Sequence, residues 1–147
     1  MQSRYAEPVA KPAGWVSLPG KVEAEWATQL EGTSVGFTSD IGRRLSFNLS
    51  GREGISDKAT MTYQVDVPET GFYQLEYRVA APETTKGFLL SVNDKHSEAN
   101  PVTETGGYHE WQTQAGQQVY LEQGQQIITL TSLDANWKLN WFTLKAK

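Results

Sequence analysis

The fold class this sequence predicts is all-β, a sandwich of two antiparallel sheets. Three observations predict it: apolar and polar residues alternate with a period of two, turn residues return at short intervals, and no segment sustains a long helical pattern. About ten short strands without a long helix specify a sandwich rather than a helical bundle or a parallel α/β sheet.

Taken in order, residues 1–18 carry Pro8, Pro12 and Gly14 among small polar residues with no sustained periodicity. They read as a linker or terminal tail, ending against the domain through Trp15. The domain is expected over 19–147, beginning at Pro19-Gly20. Segment 22–30 supports two readings, because Val22, Trp26 and Leu30 fall at helical spacing inside an otherwise β pattern. A strand is expected at 43–49. In 61–67, Met61, Tyr63, Val65 and Val67 alternate with Thr62, Gln64 and Asp66; after the turn Pro68-Glu69-Thr70-Gly71, Tyr73, Leu75, Tyr77 and Val79 alternate with Gln74, Glu76 and Arg78. These two segments are expected to pair as a hairpin. Further strands are expected at 87–92, 108–113, 117–121 and 126–131. In the last strand Trp137, Leu139 and Trp141 share one parity and Phe142 and Leu144 the other. Either both faces are covered or a bulge shifts the register midway.

Composition narrows the function classes. Hydrophobic residues make up 38% and charged residues 20%, as in ordinary globular domains. The net charge of -4 argues against general nucleic-acid binding, which rests on a basic surface. No apolar run approaches the roughly 18 residues a membrane helix needs, and residues 1–20 lack the basic start and apolar stretch of a signal peptide. The chain has no cysteine, which removes disulfides, thiolate metal sites and cysteine nucleophiles together. Five Trp, six Tyr and five Phe are the informative excess, divisible between a core and a sugar-stacking surface.

Three blocks then carry a family resemblance: PGKVEAE at 19–25, YQVDVPETGFYQLEYRVAAP at 63–82, and TGGYHEW at 105–111 with WKLNWFTL at 137–144. In this order they resemble the family 6 carbohydrate-binding modules, with the family 35 modules as close relatives. The resemblance implies a jelly-roll sandwich, a structural calcium ion, and sugar binding either in a cleft among loops at one end or on a concave sheet face. It also implies a role: holding a polysaccharide or oligosaccharide for a hydrolase or lyase domain in the same secreted parent chain. A monomer that binds no nucleic acid and no membrane is expected.

The candidate residues follow. Glu23 and Glu25 flank Ala24, so a strand would present both carboxylates on one face, a half-site for a hard cation or a plain charged surface. The resemblance pairs them with Asn140 as calcium ligands. Tyr108 follows Gly106-Gly107, and the resemblance makes it the ring that stacks on a sugar; the alternative is a ring tucked over the sheet end. Trp111 is expected in the core. Trp137 is either a second wall of the cleft or a core residue. Lys138 stands where the family has a sugar-binding Asn, and Gly54 where it has another stacking ring, while Ala59-Thr60 replace an Asp-Trp pair. A lysine suits a carboxylate or sulfate, and Arg43, Arg44 and Arg52 lie near in sequence; the alternative is a lysine reaching solvent. Glu31 and Asp40 are expected as polar contacts on the loops before the second strand. A catalytic pair is disfavoured, because Glu23 and Glu25 point the same way instead of flanking a scissile bond. The alternative to a binding module is a structural accessory domain whose sugar site has decayed.

Overall fold

The alternation is realised as strands along nearly every stretch the structure describes. That structure is a computed structural model covering residues 15–32, 35–37, 47–49, 58–93 and 95–147; for residues 25, 35–37, 47–49, 96–98, 108 and 109 the backbone alone is described. The strands are β1 (Val16–Ser17), β2 (Val22–Glu23), β3 (Gln29–Glu31), β4 (Val35–Phe37), β5 (Phe47–Leu49), β6 (Thr60–Val67), β7 (Gly71–Ala81), β8 (Thr85–Val92), β9 (Lys95–Val102), β10 (Gly107–Leu121), β11 (Gly124–Ser132) and β12 (Lys138–Ala146). They form two sheets, as the sequence predicts. The first runs β1-β6-β11-β8-β9 with β3 also on β6, and the second runs β10-β7-β12-β5-β4 with β2 also on β12. Every pairing is antiparallel except β1 with β6.

Three expectations change. Residues 61–67 and 73–79 do not pair as a hairpin: β6 belongs to the first sheet and β7 to the second, so the turn between them arches across the core. Alternation tells which face of a strand is buried, but not whether its neighbour is bonded beside it or packed opposite it. Tyr73 seals the arch by donating from its hydroxyl to the Glu69 carbonyl at 2.6 Å. The domain also begins before residue 19. Val16 and Leu18 are buried and Val16 pairs with Val65, so two apolar residues in the expected tail cover the core. Segment 22–30, left open between strand and helix, divides: a short strand, a single 3-10 turn at Ala24–Trp26, then strand again.

The inward residues of both sheets make one core, with Tyr63, Tyr77, Phe88, Trp137 and Phe142 among its largest buried side chains. Edge-to-face contacts join Tyr63 to Phe142 and Tyr77 to Phe88, each with centroids 5.0 Å apart. Side chains close the seam between the edges β9 and β10. Asn100 exchanges bonds with Gln117, its Nδ2 donating to Oε1 and its Oδ1 accepting from the backbone N–H, both at 2.8 Å. Gln114 bonds the backbone of Thr103 in the same two-way manner, at 2.8 and 2.9 Å.

Candidate functional site

The Glu-Ala-Glu segment departs from the strand geometry expected of it. β2 ends at Glu23 and the chain enters the 3-10 turn, so Glu25 lies in the turn and strand alternation does not relate the two carboxylates. Tyr63 fixes this turn to the first sheet, donating from its hydroxyl to the Ala24 carbonyl at 2.8 Å. Glu23 is buried at 3% exposure and pairs with Trp141 of β12. The preceding residue, Asn140, is fully buried and sits between the pairs Leu139–Val79 and Trp141–Arg78, which makes it the extra residue of a bulge. A bulge re-aims the side chain it carries. Glu23 and Asn140 are thus both buried, one position apart across the β2–β12 pairing. Among the described residues no group of three His, Cys, Asp or Glu side chains forms. Glu23 and Asn140 supply a carboxylate and an amide oxygen, donors of the kind calcium takes when backbone carbonyls complete the shell.

The ends of several strands meet at one pole of the sandwich. β7 ends at Ala81, whose neighbours are Gly107 at the start of β10 and, one residue back at Ala80, Lys138 at the start of β12. On the first sheet Thr60 opens β6 opposite Glu31, and the Lys58 N–H donates to the Ser132 carbonyl at 3.0 Å, so the loop leading into β12 lies at the same pole. The Thr-Gly-Gly turn is tied to it as well. Thr105 accepts from the Ala81 N–H at 2.9 Å, and its hydroxyl lies within donating distance of the carbonyls of Ala81 and Gly107. Gly106 has φ +107°, a conformation that favours glycine. The register then shifts between Gly107 and Trp111, leaving Tyr108 in a bulged segment at the rim of the sheet.

Of the residues expected at this site, the topology brings Tyr108, Lys138 and Glu31 to the same pole. Glu31 is exposed and lies in a strand rather than a loop, its carboxylate accepting from the Thr60 hydroxyl at 3.2 Å. Lys138 is half-buried, and burial lowers its pKa from the ordinary lysine value. Asp40, Arg43, Arg44, Arg52 and Gly54 lie outside the described residues.

Trp137 is a core residue and not a cleft wall. It is fully buried, its ring stacks on Phe88 at 5.4 Å and 14°, and its Nε1 donates to Ser132 Oγ at 3.0 Å. Its parity with Leu139, also buried, is the sequence signal for this. Trp111 shows the reverse. Expected in the core, it pairs with Ala80 on the outward parity of β7 and is half-buried. Ala80 is fully buried without belonging to the core cluster, between the outward positions of Trp111 and Lys138. In the next row of this outer face Arg78 stands between Thr113, to which it donates at 3.2 Å, and Trp141, whose ring lies 4.5 Å beneath the Lys21 ammonium.

A two-sheet sandwich whose strand ends bring residues 108, 138 and 31 to one pole has the architecture of a binding module. The family model described as carbohydrate binding module (family 6) matches residues 23–146, and the chain belongs to that family. A solved module from a lichenase of Cellvibrio mixtus, in complex with cellotriose, is 25% identical, with 88% of this chain and 98% of that one covered and a TM-score of 0.73. The C-terminal module of a marine laminarinase from Zobellia galactanivorans is also 25% identical, covering 85% of this chain and 97% of that one with a TM-score of 0.70. The clotting factor G alpha subunit of Tachypleus tridentatus is 27% identical over 110 residues; the match spans 73% of this chain but 16% of that protein.

Proposed function

We propose that this chain is a non-catalytic module that holds a plant or algal polysaccharide for a degrading domain in the same secreted parent protein. The observation that carries the reading is the meeting of Tyr108 and Lys138 at the pole where β7 ends. In this reading the Tyr108 ring stacks on a sugar face, and Lys138, with Glu31 at the same pole and Asp40 as a further polar contact, holds hydroxyls. Such a site raises the concentration of the catalytic domain at its substrate without new chemistry. β-Glucans are the first ligands to try, because similar modules come from a lichenase and a laminarinase and one holds cellotriose.

A second reading concerns the charge of the ligand, and the partial burial of Lys138 favours it. An ammonium in a less hydrated setting attracts an anion more strongly than one in open water. That suits a uronate or a sulfated galactan. We further propose that calcium occupies the site of Glu23, Glu25 and Asn140 and stabilises the fold.

Affinity electrophoresis with calcium present tests these readings, on glucans, xylan and agarose beside alginate, pectin and carrageenan. Retardation by the neutral gels that disappears in Tyr108→Ala supports the first reading. Retardation by the anionic gels that disappears in Lys138→Ala supports the second. No retardation by any of them refutes the binding role and leaves a structural accessory domain.

A further inference from the structure

Far from the loop pole, where β10 runs into β11 and β8 into β9, the surface carries a second feature that the family reading does not use. Phe72 and Tyr120 are the two large hydrophobic residues exposed among the described residues, at 56% and 53%. They are direct cross-strand partners, and both break the alternation of their strands, standing at polar positions beside buried Tyr73, Val119 and Leu121. Their rings meet edge-to-face, with centroids 5.4 Å apart and planes at 65°, and more than half of each residue stays open to solvent. Beside them runs a groove of about 460 Å³, which they line together with Asn93, Gln117, Gln118 and Gln126.

The amides of this groove are held in place. Asn93 donates from Nδ2 to Gln126 Oε1 and accepts from the Ile127 N–H at 2.8 Å. Gln126 donates to the Glu122 carbonyl at 3.0 Å, and Gln117 accepts from Asn100 at 2.8 Å. Asn93 and Gln126 are thus held at both amide atoms and Gln117 at its oxygen, and each amide keeps a second N–H or lone pair that it can offer to a hydroxyl-rich ligand at little entropic cost. Among the described residues the charges lining the groove are one Lys95 and one Glu122, which cancel. Flat apolar rings, oriented amides and balanced charges among the described lining residues together suit an uncharged sugar.

We propose that the Phe72–Tyr120 groove is a second carbohydrate-binding site, for a neutral polysaccharide strand. It lies about 26 Å along β7 from the Ala80–Lys138 row, taking about 3.3 Å per residue. It shares the ligand class with the loop site but none of its residues, so either can fail without the other. Two such sites on one long polymer would raise its apparent affinity at least about tenfold over the better single site.

The test is a titration of the isotopically labelled full chain with cellotetraose and with laminaritetraose, followed by amide NMR shifts. Saturable shifts at 72, 93, 118–120 and 126 are expected. They should persist in Tyr108→Ala and vanish in the Phe72→Ala/Tyr120→Ala double variant, whose dispersed spectrum shows that it still folds. The double variant should also lose at least tenfold in affinity for a soluble β-glucan polymer. Absence of shifts at these positions with both sugars overturns the proposal, whatever happens at 105–111. Shifts there that depend on protein concentration without sugar also overturn it, because a second copy of the chain then covers the groove. Shifts at the groove with none at 105–111 sustain this proposal and remove the loop site instead.

Discussion

Replacing Trp137 by phenylalanine separates a core residue from a sugar platform, because phenylalanine keeps a flat ring but lacks the indole N–H. In the fold that N–H donates to Ser132 Oγ at 3.0 Å, and Ser132, itself buried, donates onward to the Asp134 carbonyl at 2.6 Å. Removing the donor leaves a buried acceptor unfilled, at a cost of about 1 kcal/mol. Removing the second ring opens a small void against Phe88, costing about 1–2 kcal/mol more on the scale of large-to-small core changes. The sum, about 2–3 kcal/mol, lowers the Tm by about 6–12 °C at roughly 3–4 °C per kcal/mol for a domain of this length. Trp137→Ala should cost about 3–5 kcal/mol. Polysaccharide affinity, measured well below the lowered transition, should stay at the wild-type value for Trp137→Phe. Differential scanning calorimetry beside affinity electrophoresis gives both quantities. A variant that melts like wild type but loses retardation would refute the core assignment and restore Trp137 as a cleft wall.

Calcium in excess of its dissociation constant by about a hundredfold should add about 2.7 kcal/mol, raising the Tm over that in chelator; thermal scans that coincide in the two buffers would count against the metal site. Gly87→Ala should destabilise by about 3 kcal/mol or more, since Gly87 has φ +72° and a Cβ would lie 1.8 Å from the Asn100 carbonyl oxygen; denaturant titration checks this. The Tyr77 hydroxyl, which donates to the Pro101 carbonyl at 2.7 Å, is pushed by burial up to about 12 from 10.0. Because the folded value lies above the unfolded one, its contribution to stability is intact below pH 10 and is lost as pH rises towards 12, which melting curves across that window will show.

Legibility in the sequence followed the physics of each signal. Alternation is a local property, so the strands at 61–67, 73–79, 87–92 and 126–131 could be read directly. Pairing is not local. The turn at 68–71 looks like a hairpin connection, yet it arches between sheets, because pairing is set by partners as distant as Ala146 and Leu121. The tail boundary failed for a similar reason: Val16 gains its burial from Val65, far along the chain. The blocks that carry the resemblance, which lie within or overlap residues 23–146, located the family because spacing is kept where topology needs it. Single side chains were harder. Trp111 and Trp137 have the same composition signal and opposite fates, settled by one residue of register each. Phe72 and Tyr120 were not singled out from the sequence: each is an apolar residue at polar parity, but only their cross-strand pairing shows that they form one surface.

The parity change in the last strand is where sequence, packing and site meet. Continued alternation from Leu139 would turn Trp141 and Lys145 inward and expose Phe142 and Leu144. The one-residue bulge at Asn140 prevents this: Phe142 and Leu144 are fully buried, and Trp141 takes the outward row opposite Arg78. The same residue that corrects the core register immediately precedes Trp141, the strand partner of Glu23. Stability lost on mutating Asn140 therefore mixes two causes, register and oxygen chemistry, and a single alanine variant cannot divide them. Asn140→Asp keeps a side chain of the same length with oxygens a hard cation prefers, whereas Asn140→Ala keeps the backbone and removes the oxygen. If the site holds calcium, the two variants will separate in calcium and converge in chelator, where the buried carboxylate of the aspartate loses its counter-charge. If the bulge alone matters, calcium will leave the gap between them unchanged.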